Sequence, residues 1–281
     1  EHYFKITNCD AMRPFFMSIV SDSDHWMFIS SNGGLSAGRR NAEFALFPYY
    51  TDDKITESAE MTGSKSIFRV KKGGASHVWE PFSIRQEGQY QVSCNLYKSI
   101  YGNKIRFEET NHDLGLTFQY EWASSDKFGF VRTSKLVNNS EAEISVTLLD
   151  GIQNIMPYGV PSSTQTSVSN LVDAYKRSEL DPKTGLGIYA LSAIIVDKAE
   201  PSEALKANTV WSLGLENPTY LLSSLQLDNF RKGLPVQQET DVKAEKGAYF
   251  LVDEISLAPG AEKAWMLIAN VNQNHSQVAS L

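Results

Sequence analysis

LGLTFQYEW, residues 114–122, alternates large apolar side chains with small or polar ones. Because successive residues of a β-strand point to opposite faces of its sheet, the alternation puts Leu114, Leu116, Phe118, Tyr120 and Trp122 on one face. The segment therefore predicts a strand whose apolar face is buried in a core.

Similar apolar, β-rich runs recur along most of the chain and predict further strands. Residues with turn preferences separate several of them, at 31–34, 72–74, 101–103 and 258–260, which favours antiparallel hairpins over a parallel sheet with helical crossovers. We also expect two short helices, one capped by Asn217 and ending before Gly233, the other over Ser169–Arg177. The additional strand runs lie near 15–20, 25–30, 66–70, 90–97, 104–109, 128–137, 143–149, 187–197, 205–215, 248–257 and 264–271.

The composition is that of a folded, all-β protein with few short helices. Hydrophobic residues make up 42% of the 281 residues and include 14 Phe, 12 Tyr and 5 Trp, which is ample material for a packed core. A β-sandwich of this length often forms one domain, so we expect one. The net charge of -7 is spread along the chain without a basic run, which argues against a nucleic-acid partner.

Cysteine usage and the chain start bear on location. Cys9 and Cys94 lie outside any zinc-binding spacing, and a bridge between them stays open beside the favoured alternative of two free thiols. No apolar stretch reaches the length of a membrane span, so we expect no membrane partner. The first residues do not resemble a secretion signal, and we expect a cytoplasmic protein. Because the chain begins with Glu1, a periplasmic location after removal of a signal stays open.

Two guanidinium groups and an aromatic cluster mark the first candidate site. Arg39 and Arg40 precede Phe47-Pro48-Tyr49-Tyr50 around an expected loop. Arginine binds carboxylates and hydroxyl groups, and flat aromatic rings stack on the apolar faces of sugars, so the pattern fits a carbohydrate-facing loop. The alternative is a packed loop whose arginines pair with acidic residues at 52, 53 or 57.

The second candidate is Glu80, which lies between Trp79 and Phe82 in a setting that could raise the pKa of its carboxyl. A single carboxylate is not a glycosidase mechanism, since glycoside cleavage uses two at a defined separation, and a structural role is favoured. Glu108 and Glu109 are adjacent on an expected strand, so they point to opposite faces and cannot serve one substrate together.

The histidines are scattered and none has a ligand spacing with cysteine or an acidic residue, so we expect no metal and no cofactor. His112 as a base with Glu109 as an acid is one way to build a sugar epimerase. A related version uses His77 beside Glu80. The chain lacks the GxSxG segment of a serine hydrolase, and no phosphate-binding loop follows Gly33-Gly34.

The order of segments resembles the amino-terminal sandwich of the inverting disaccharide phosphorylases of the cellobiose phosphorylase type (glycoside hydrolase family 94-like). The segments that carry the resemblance are GGLSAGRRNAEFALFPYY at 33–50, SIFRV and WEPFS within 66–83, YGNKIRFEETNHDLGLTFQYEW at 101–122, and GFVRTSKLVNNSEAEISVTLLDGIQNIMP at 129–157.

The resemblance implies an antiparallel supersandwich of the galactose-mutarotase type over 1–272, with 273–281 beginning a linker helix to a following domain. In that family the chemistry belongs to an (α/α)6 barrel, so the resemblance implies no catalytic residue here. It implies a carboxy-terminal barrel of the same polypeptide, a carbohydrate and a homodimer as partners. The sugar border would be formed by Arg39, Arg40, Tyr49, Tyr50, Trp79 and Glu80.

Three functional hypotheses follow. The leading one is a non-catalytic sandwich domain of a larger glycoside phosphorylase or hydrolase. The second is a complete, mutarotase-like sugar epimerase. The third is a carbohydrate-binding module with no enzyme attached, which requires an exposed row of rings from Tyr49, Tyr50 and Trp79.

Overall fold

The structure is a computed structural model that describes residues 1–167, 170–193 and 205–281. Nearly all of its regular structure is antiparallel β-sheet. The strands are β1 (Tyr3–Thr7), β2 (Phe16–Ile19), β3 (His25–Ser30), β4 (Leu35–Arg39), β5 (Ala45–Phe47), β6 (Gly63–Lys72), β7 (Ala75–Trp79), β8 (Val92–Ser99), β9 (Ile105–Asn111), β10 (Leu116–Ser125), β11 (Gly129–Asn138), β12 (Ile144–Ile155), β13 (Lys176–Asp181), β14 (Leu186–Leu191), β15 (Lys206–Leu213), β16 (Thr219–Leu221), β17 (Asp241–Lys243), β18 (Gly247–Leu257) and β19 (Glu262–Asn274). The short helices are α1 (Asp52–Glu57), α2 (Ser162–Gln165), α3 (Asn170–Tyr175), α4 (Leu227–Arg231) and α5 (His275–Ala279).

These strands form three sheets in the described part of the chain. The large sheet has 10 strands in the order β1-β8-β9-β10-β11-β19-β15-β14-β13-β17. A 5-stranded sheet runs β16-β18-β12-β6-β7, and a 4-stranded sheet runs β2-β3-β4-β5. Most neighbours are sequential hairpins, as the turn residues predict; β11 with β19 is a long-range pair that joins the two halves of the large sheet.

The main core lies between the large sheet and the two smaller sheets. Strand β10 buries Leu116, Phe118, Tyr120 and Trp122 in it, as the alternation predicts. The ring of Phe118 meets Phe68 of β6 edge to face, with centroids 4.9 Å apart. Alternate residues of β10 thus pack the large sheet against the 5-stranded sheet. The prediction of an all-β fold is confirmed.

Each of the predicted strand runs overlaps a strand of the structure. The run at 187–197 is only partly described, because residues 194–204 lie outside the described residues. The strands without a predicted run are β1, β4, β5, β7, β13, β16 and β17. Most of these are short, and β1, β7 and β17 lie at sheet edges, where one partner strand supplies the pairing that the local sequence does not signal.

Both helix predictions are wrong in their bounds. The helix expected from Asn217 is replaced at its start by β16, in which Leu221 pairs with Phe250, and α4 begins only at Leu227. Pairing with the edge of the 5-stranded sheet therefore overrides the local capping signal. The second helix, α3, ends at Tyr175 because the next residues enter β13; its predicted first residue lies outside the described residues.

Candidate functional site

Arg39 ends strand β4 and ties the 4-stranded sheet to the rest of the molecule. Its guanidinium contacts Asp24 at 2.6 Å and Asp126 in the β10–β11 turn at 3.3 Å, and it donates to Asn270 of β19. Pairing of the arginines with residues 52, 53 or 57 is therefore wrong for Arg39, whose side chain is only 16% exposed. Burial opposes ionisation of Asp24, but hydrogen bonds from both arginines keep the pKa of its carboxyl below the ordinary value.

Arg40 follows in the left-handed backbone region, with a φ of 61°, and turns the chain outward. Its Nε lies 3.2 Å from the second oxygen of Asp24, while 68% of its side chain is exposed. One carboxylate therefore orients both guanidinium groups. Arg39 serves the packing, and Arg40 presents its remaining donors to solvent.

Tyr49 and Tyr50 follow strand β5 on the same sheet. Tyr49 is 40% exposed, and its ring meets Trp26 edge to face with centroids 5.5 Å apart. Tyr50 is half-buried, its ring lies under the ammonium group of Lys54, and burial raises the pKa of its hydroxyl. Tyr49 is therefore the more exposed of the two tyrosines, and Tyr50 is partly covered by its neighbours.

Trp79 and Glu80 lie inside the fold. Trp79 is 1% exposed and donates from its indole to Glu109 at 2.7 Å. Glu80 accepts from Lys65 at 3.0 Å and from Arg231 through two bonds of 2.9 Å. Burial opposes ionisation of Glu80, but the two cations outweigh it and lower the pKa of the carboxyl. The expectation of a raised pKa at Glu80 is therefore wrong.

The six candidate residues fall into two groups. Arg39, Arg40, Tyr49 and Tyr50 belong to the 4-stranded sheet and its loops. Trp79 instead ends the edge strand of the 5-stranded sheet, and Glu80 follows it. Within the described ranges no hydrogen bond links the two groups. Carbohydrate binding by these residues stays a prediction, and in this conformation the buried Trp79 and Glu80 could contribute to it only indirectly.

Glu108 and Glu109 point to opposite faces of the large sheet, as predicted. Glu109 points inward and accepts from Trp79, from the backbone N–H of Phe82 at 2.7 Å and from Cys94. Burial dominates there and raises the pKa of the Glu109 carboxyl, although these donors favour its charged form. Both cysteines are free and buried, and burial raises the pKa of the Cys9 thiol to about 11.

The residues of the epimerase hypothesis are not brought together. His112 lies on the outer face of the large sheet, where its Nε2 is 2.7 Å from the hydroxyl of Ser93, while Glu109 lies in the core. His77 is on the edge strand β7 opposite Val70, and Glu80 is occupied by its two cations. Neither proposed pair shares a surface in this geometry.

Sequence reasoning missed an ion pair at the centre of the sandwich. Arg132 of β11 and Asp150 of β12 are both fully buried, and their closest atoms are 2.8 Å apart. Asp150 also accepts from Ser66, Ser134 and the indole of Trp265. The cluster therefore joins the large sheet to the 5-stranded sheet.

Every polar atom of this ion pair has a partner. The remaining guanidinium nitrogen, Nε of Arg132, donates to Ser64 at 2.9 Å, and the planar group lies over the ring of Tyr120. The alternation of β11 carried a signal for it, because Arg132 has the same parity as the buried Phe130 and Leu136. An arginine at a core-facing position must find a buried acid.

A small polar pocket lies beside this cluster, lined by Glu60, Ser64, Lys65 and Tyr120 among others. Its interior has room for about one or two water molecules, given the volume that one water needs. A sugar ring does not fit there. Lys65 of β6 bridges Glu60 and Glu80. The ionisable groups around the pocket therefore connect the segments on either side of it.

Within residues 1–167, 170–193 and 205–281, histidine, cysteine and acidic side chains do not gather in a group of three or more that could hold a metal ion. Over the same ranges no helix has both the length and the apolar character needed to cross a membrane.

Known structures share this fold at very low sequence identity. A bacterial glucoamylase in complex with acarbose superimposes with a TM-score of 0.53 at 9% identity; the match covers 99% of this chain and 36% of the glucoamylase. A GalM/aldose epimerase homologue from C. elegans gives a TM-score of 0.51 at 10% identity, covering 94% of this chain and 100% of the homologue. No protein-family model matches the sequence, and no curated protein matches it significantly.

The architecture is therefore an antiparallel supersandwich of the galactose-mutarotase type, as the sequence resemblance implies. Proteins that share it include carbohydrate-active enzymes in which this unit is one part, and the chain spans about a third of the glucoamylase. At these identities the likeness describes the fold alone.

Proposed function

We propose that this chain is the non-catalytic sandwich domain of a larger carbohydrate-active enzyme of the glycoside phosphorylase or hydrolase type. In this proposal the domain packs on an (α/α)6 barrel of the same polypeptide and borders the sugar site of that barrel. In the proposal the sandwich covers residues 1–272, and residues 273–281, which include the last two residues of β19 and α5, begin the linker. A homodimer through the sandwich belongs to the same proposal.

The observation that carries the proposal is the state of the buried ionisable groups. Asp150 is neutralised by Arg132, and Glu80 by Lys65 and Arg231, while Glu109 accepts from a tryptophan, a backbone amide and a thiol. Catalytic acids and bases need free access to a substrate proton. These carboxylates are instead turned to structural partners inside the fold.

The sugar-border residues take different roles in this proposal. Arg40 and Tyr49 expose enough of their side chains to contact a sugar directly. Arg39 shares the Asp24 carboxylate with Arg40, and Tyr50 packs under the ammonium group of Lys54. Trp79 and Glu80 are buried and would contribute only by stabilising the fold.

A turnover assay tests the proposal. The purified chain is incubated with cellobiose, maltose or laminaribiose, with and without inorganic phosphate, and release of glucose or glucose 1-phosphate is measured. We expect no release above the protein-free rate. Release that persists through purification and co-elutes with the folded chain would overturn the proposal, because it would place catalysis in this chain.

A second candidate is a complete aldose epimerase. It is favoured by one observation: the match to the epimerase homologue covers all of that protein's length. Polarimetry of freshly dissolved α-D-galactose or α-D-glucose distinguishes the two candidates. The epimerase requires the optical rotation to reach equilibrium faster in the presence of the chain, whereas a non-catalytic domain leaves the uncatalysed rate unchanged.

A further inference from the structure

The two cysteines of the chain lie at the same edge of the large sheet. Strand β1 is the edge strand there, and it pairs with β8 so that Ile6 lies opposite Leu96 on the side that faces the core. Two positions further along, the same register places residue 8 opposite Cys94, which is buried on that side. Opposite residues of antiparallel strands have Cα atoms about 4.5–5.5 Å apart, a separation that a disulfide spans.

Asn8 turns the chain so that Cys9 occupies this core position. The backbone of Asn8 is left-handed, with a φ of 51°, and strand β1 ends just before it. Asn8 is exposed, whereas Cys9, which begins a single 3-10 turn, is buried. Residues of this turn have Cα atoms within 8 Å of residues of β8. The turn therefore carries Cys9 to the side of β8 on which Cys94 lies.

Both thiols share one acidic environment. Cys94 donates from its thiol to Glu109 on the neighbouring strand β9, with the sulfur 3.5 Å from Oε2. Burial first, and then the charges of Glu109, Asp10 and Cys9, raise the pKa of the Cys94 thiol. Burial and then Asp10 raise the pKa of the Cys9 thiol, and Glu109 adds to this. Because charges shift a pKa in this way only over short distances, the two sulfurs are neighbours.

We propose that Cys9 and Cys94 form a disulfide bond when the chain folds under oxidising conditions, and that the bond fastens the edge strand β1 to β8. In the structure both thiols are free, which is the reduced form of this pair. The bond closes a loop over residues 10–93, which holds β2 to β7. The inference goes beyond the proposed function and does not depend on it.

The oxidation is a thiol–disulfide exchange with glutathione disulfide. The deprotonated Cys9 sulfur attacks one sulfur of glutathione disulfide, forms a mixed disulfide and releases one reduced glutathione. The deprotonated Cys94 sulfur then attacks the Cys9 sulfur and releases the second reduced glutathione. The protein thereby loses two protons and two electrons, which glutathione disulfide gains. Cys9 reacts first because it lies in the turn at the sheet edge, whereas Cys94 lies within β8.

Burial makes this exchange slow in the folded protein. The thiolate is the reactive form, and burial raises the pKa of the Cys9 thiol to about 11. The bond therefore forms while the chain folds, or when β1 opens locally, since β1 has β8 as its one neighbour in the described part of the sheet. Once formed, the bond is shielded from reductants by the same burial.

Refolding in two redox buffers tests the bond. The denatured, reduced chain is refolded either in a mixture of reduced and oxidised glutathione or in dithiothreitol, and the remaining thiols are alkylated in denaturant. We expect neither cysteine to be alkylated after oxidative refolding, both after reductive refolding, and a peptide that joins Cys9 to Cys94 in the mass spectrum. The oxidised chain should unfold at a temperature higher by about 5 °C or more, because a long closed loop restricts the unfolded chain.

Matched variants separate the bond from the effect of the buffer. Cys9→Ser and Cys94→Ser each remove one partner, so their unfolding temperatures should be the same in both buffers. Cys9→Ala and Cys94→Ala repeat the comparison without a buried hydroxyl, in case a serine variant does not fold. Non-reducing electrophoresis distinguishes a bond within one chain from a bond between two chains.

Three results would overturn the inference: both cysteines alkylated after oxidative refolding, bonds that join only separate chains, or an oxidised chain that unfolds at the same temperature as the reduced chain or at a lower one. The last result would mean that the two sulfurs are not positioned for an unstrained bond. None of these measurements concerns turnover of a sugar. Failure of the disulfide therefore stays distinguishable from failure of the proposed function.

Discussion

The interior of the sandwich and the outer face of its 4-stranded sheet use their side chains in opposite ways. Between the sheets, Arg132 and Asp150 find a partner for every polar atom, so this ion pair is satisfied without any ligand. On the outer face, Phe16 and Tyr49 keep a large part of their rings in water. The difference indicates that the charges between the sheets serve the structure, whereas the rings of Phe16 and Tyr49 lie partly outside the packed core.

The largest expected effect is in the interior. Asp150→Ala leaves the Arg132 guanidinium buried without its counter-charge, and we expect a loss of about 3–5 kcal/mol in the free energy of unfolding. Urea denaturation measures it. Asp22→Ala removes an exposed carboxylate and should change the free energy of unfolding by less than about 0.5 kcal/mol.

A paired replacement sharpens this test. Arg132→Met combined with Asp150→Leu removes both charges together, so the double variant should be more stable than either single variant. If the double variant is as unstable as the sum of the singles, the pair does not act as a unit, and the description of the interior is wrong.

The two buried glutamates should respond to pH with opposite signs. The pKa of Glu80 is lowered in the folded state, so its contribution is present above its ordinary pKa and is lost as the pH falls through the folded value. The pKa of Glu109 is raised, so the folded state retains that proton longer, and stability falls as the pH rises from the ordinary value to the folded one. Unfolding free energies measured from pH 3 to 8 for Glu80→Gln and Glu109→Gln, each subtracted from the unmutated chain, should therefore slope in opposite directions. Two difference curves of the same sign would contradict the assignment.

Arg39 lies between the two regions. Because its mostly buried guanidinium links the 4-stranded sheet to the β10–β11 turn, Arg39→Ala should cost about 1 kcal/mol, at the upper end for such pairs. Raising the salt concentration should reduce this cost only partly, since the Asp24 contact is shielded from solvent. Thermal unfolding at low and high salt checks both statements.

The smallest effect is expected at Arg40. Its side chain is 68% exposed, so Arg40→Ala should change the free energy of unfolding by less than about 0.5 kcal/mol. A larger loss, seen by urea denaturation, would mean that Arg40 belongs to the framework and is not free to contact a ligand.

The sequence predicts the sandwich well because alternation is a strong local signal. Strands such as β10 and β11 reveal their buried face residue by residue. Strand β16, in contrast, forms where capping signals favoured a helix, because it pairs with the edge of β18.

The candidate site is harder to predict. Trp79 looks like a surface aromatic in sequence, yet long-range contact with Glu109 places it in the core.

The two faces of strand β3 are hard to tell apart in the sequence for a related reason. Trp26 and Phe28 alternate with Met27 and Ile29 in a run that is apolar on both faces, so its pattern does not say which face is covered. The close approach of Trp26 to Gly38 and its edge contact with Tyr49 distinguish the outer face. Both depend on neighbouring strands.

One measurement tests the central claim most directly. The free energy of unfolding is determined by urea denaturation under one condition for Asp150→Asn and Phe16→Ser. The account predicts a large loss of stability for Asp150→Asn, because Arg132 stays buried without its counter-charge, and a small change for Phe16→Ser, because Phe16 is 45% exposed. Equal losses in the two variants would contradict it.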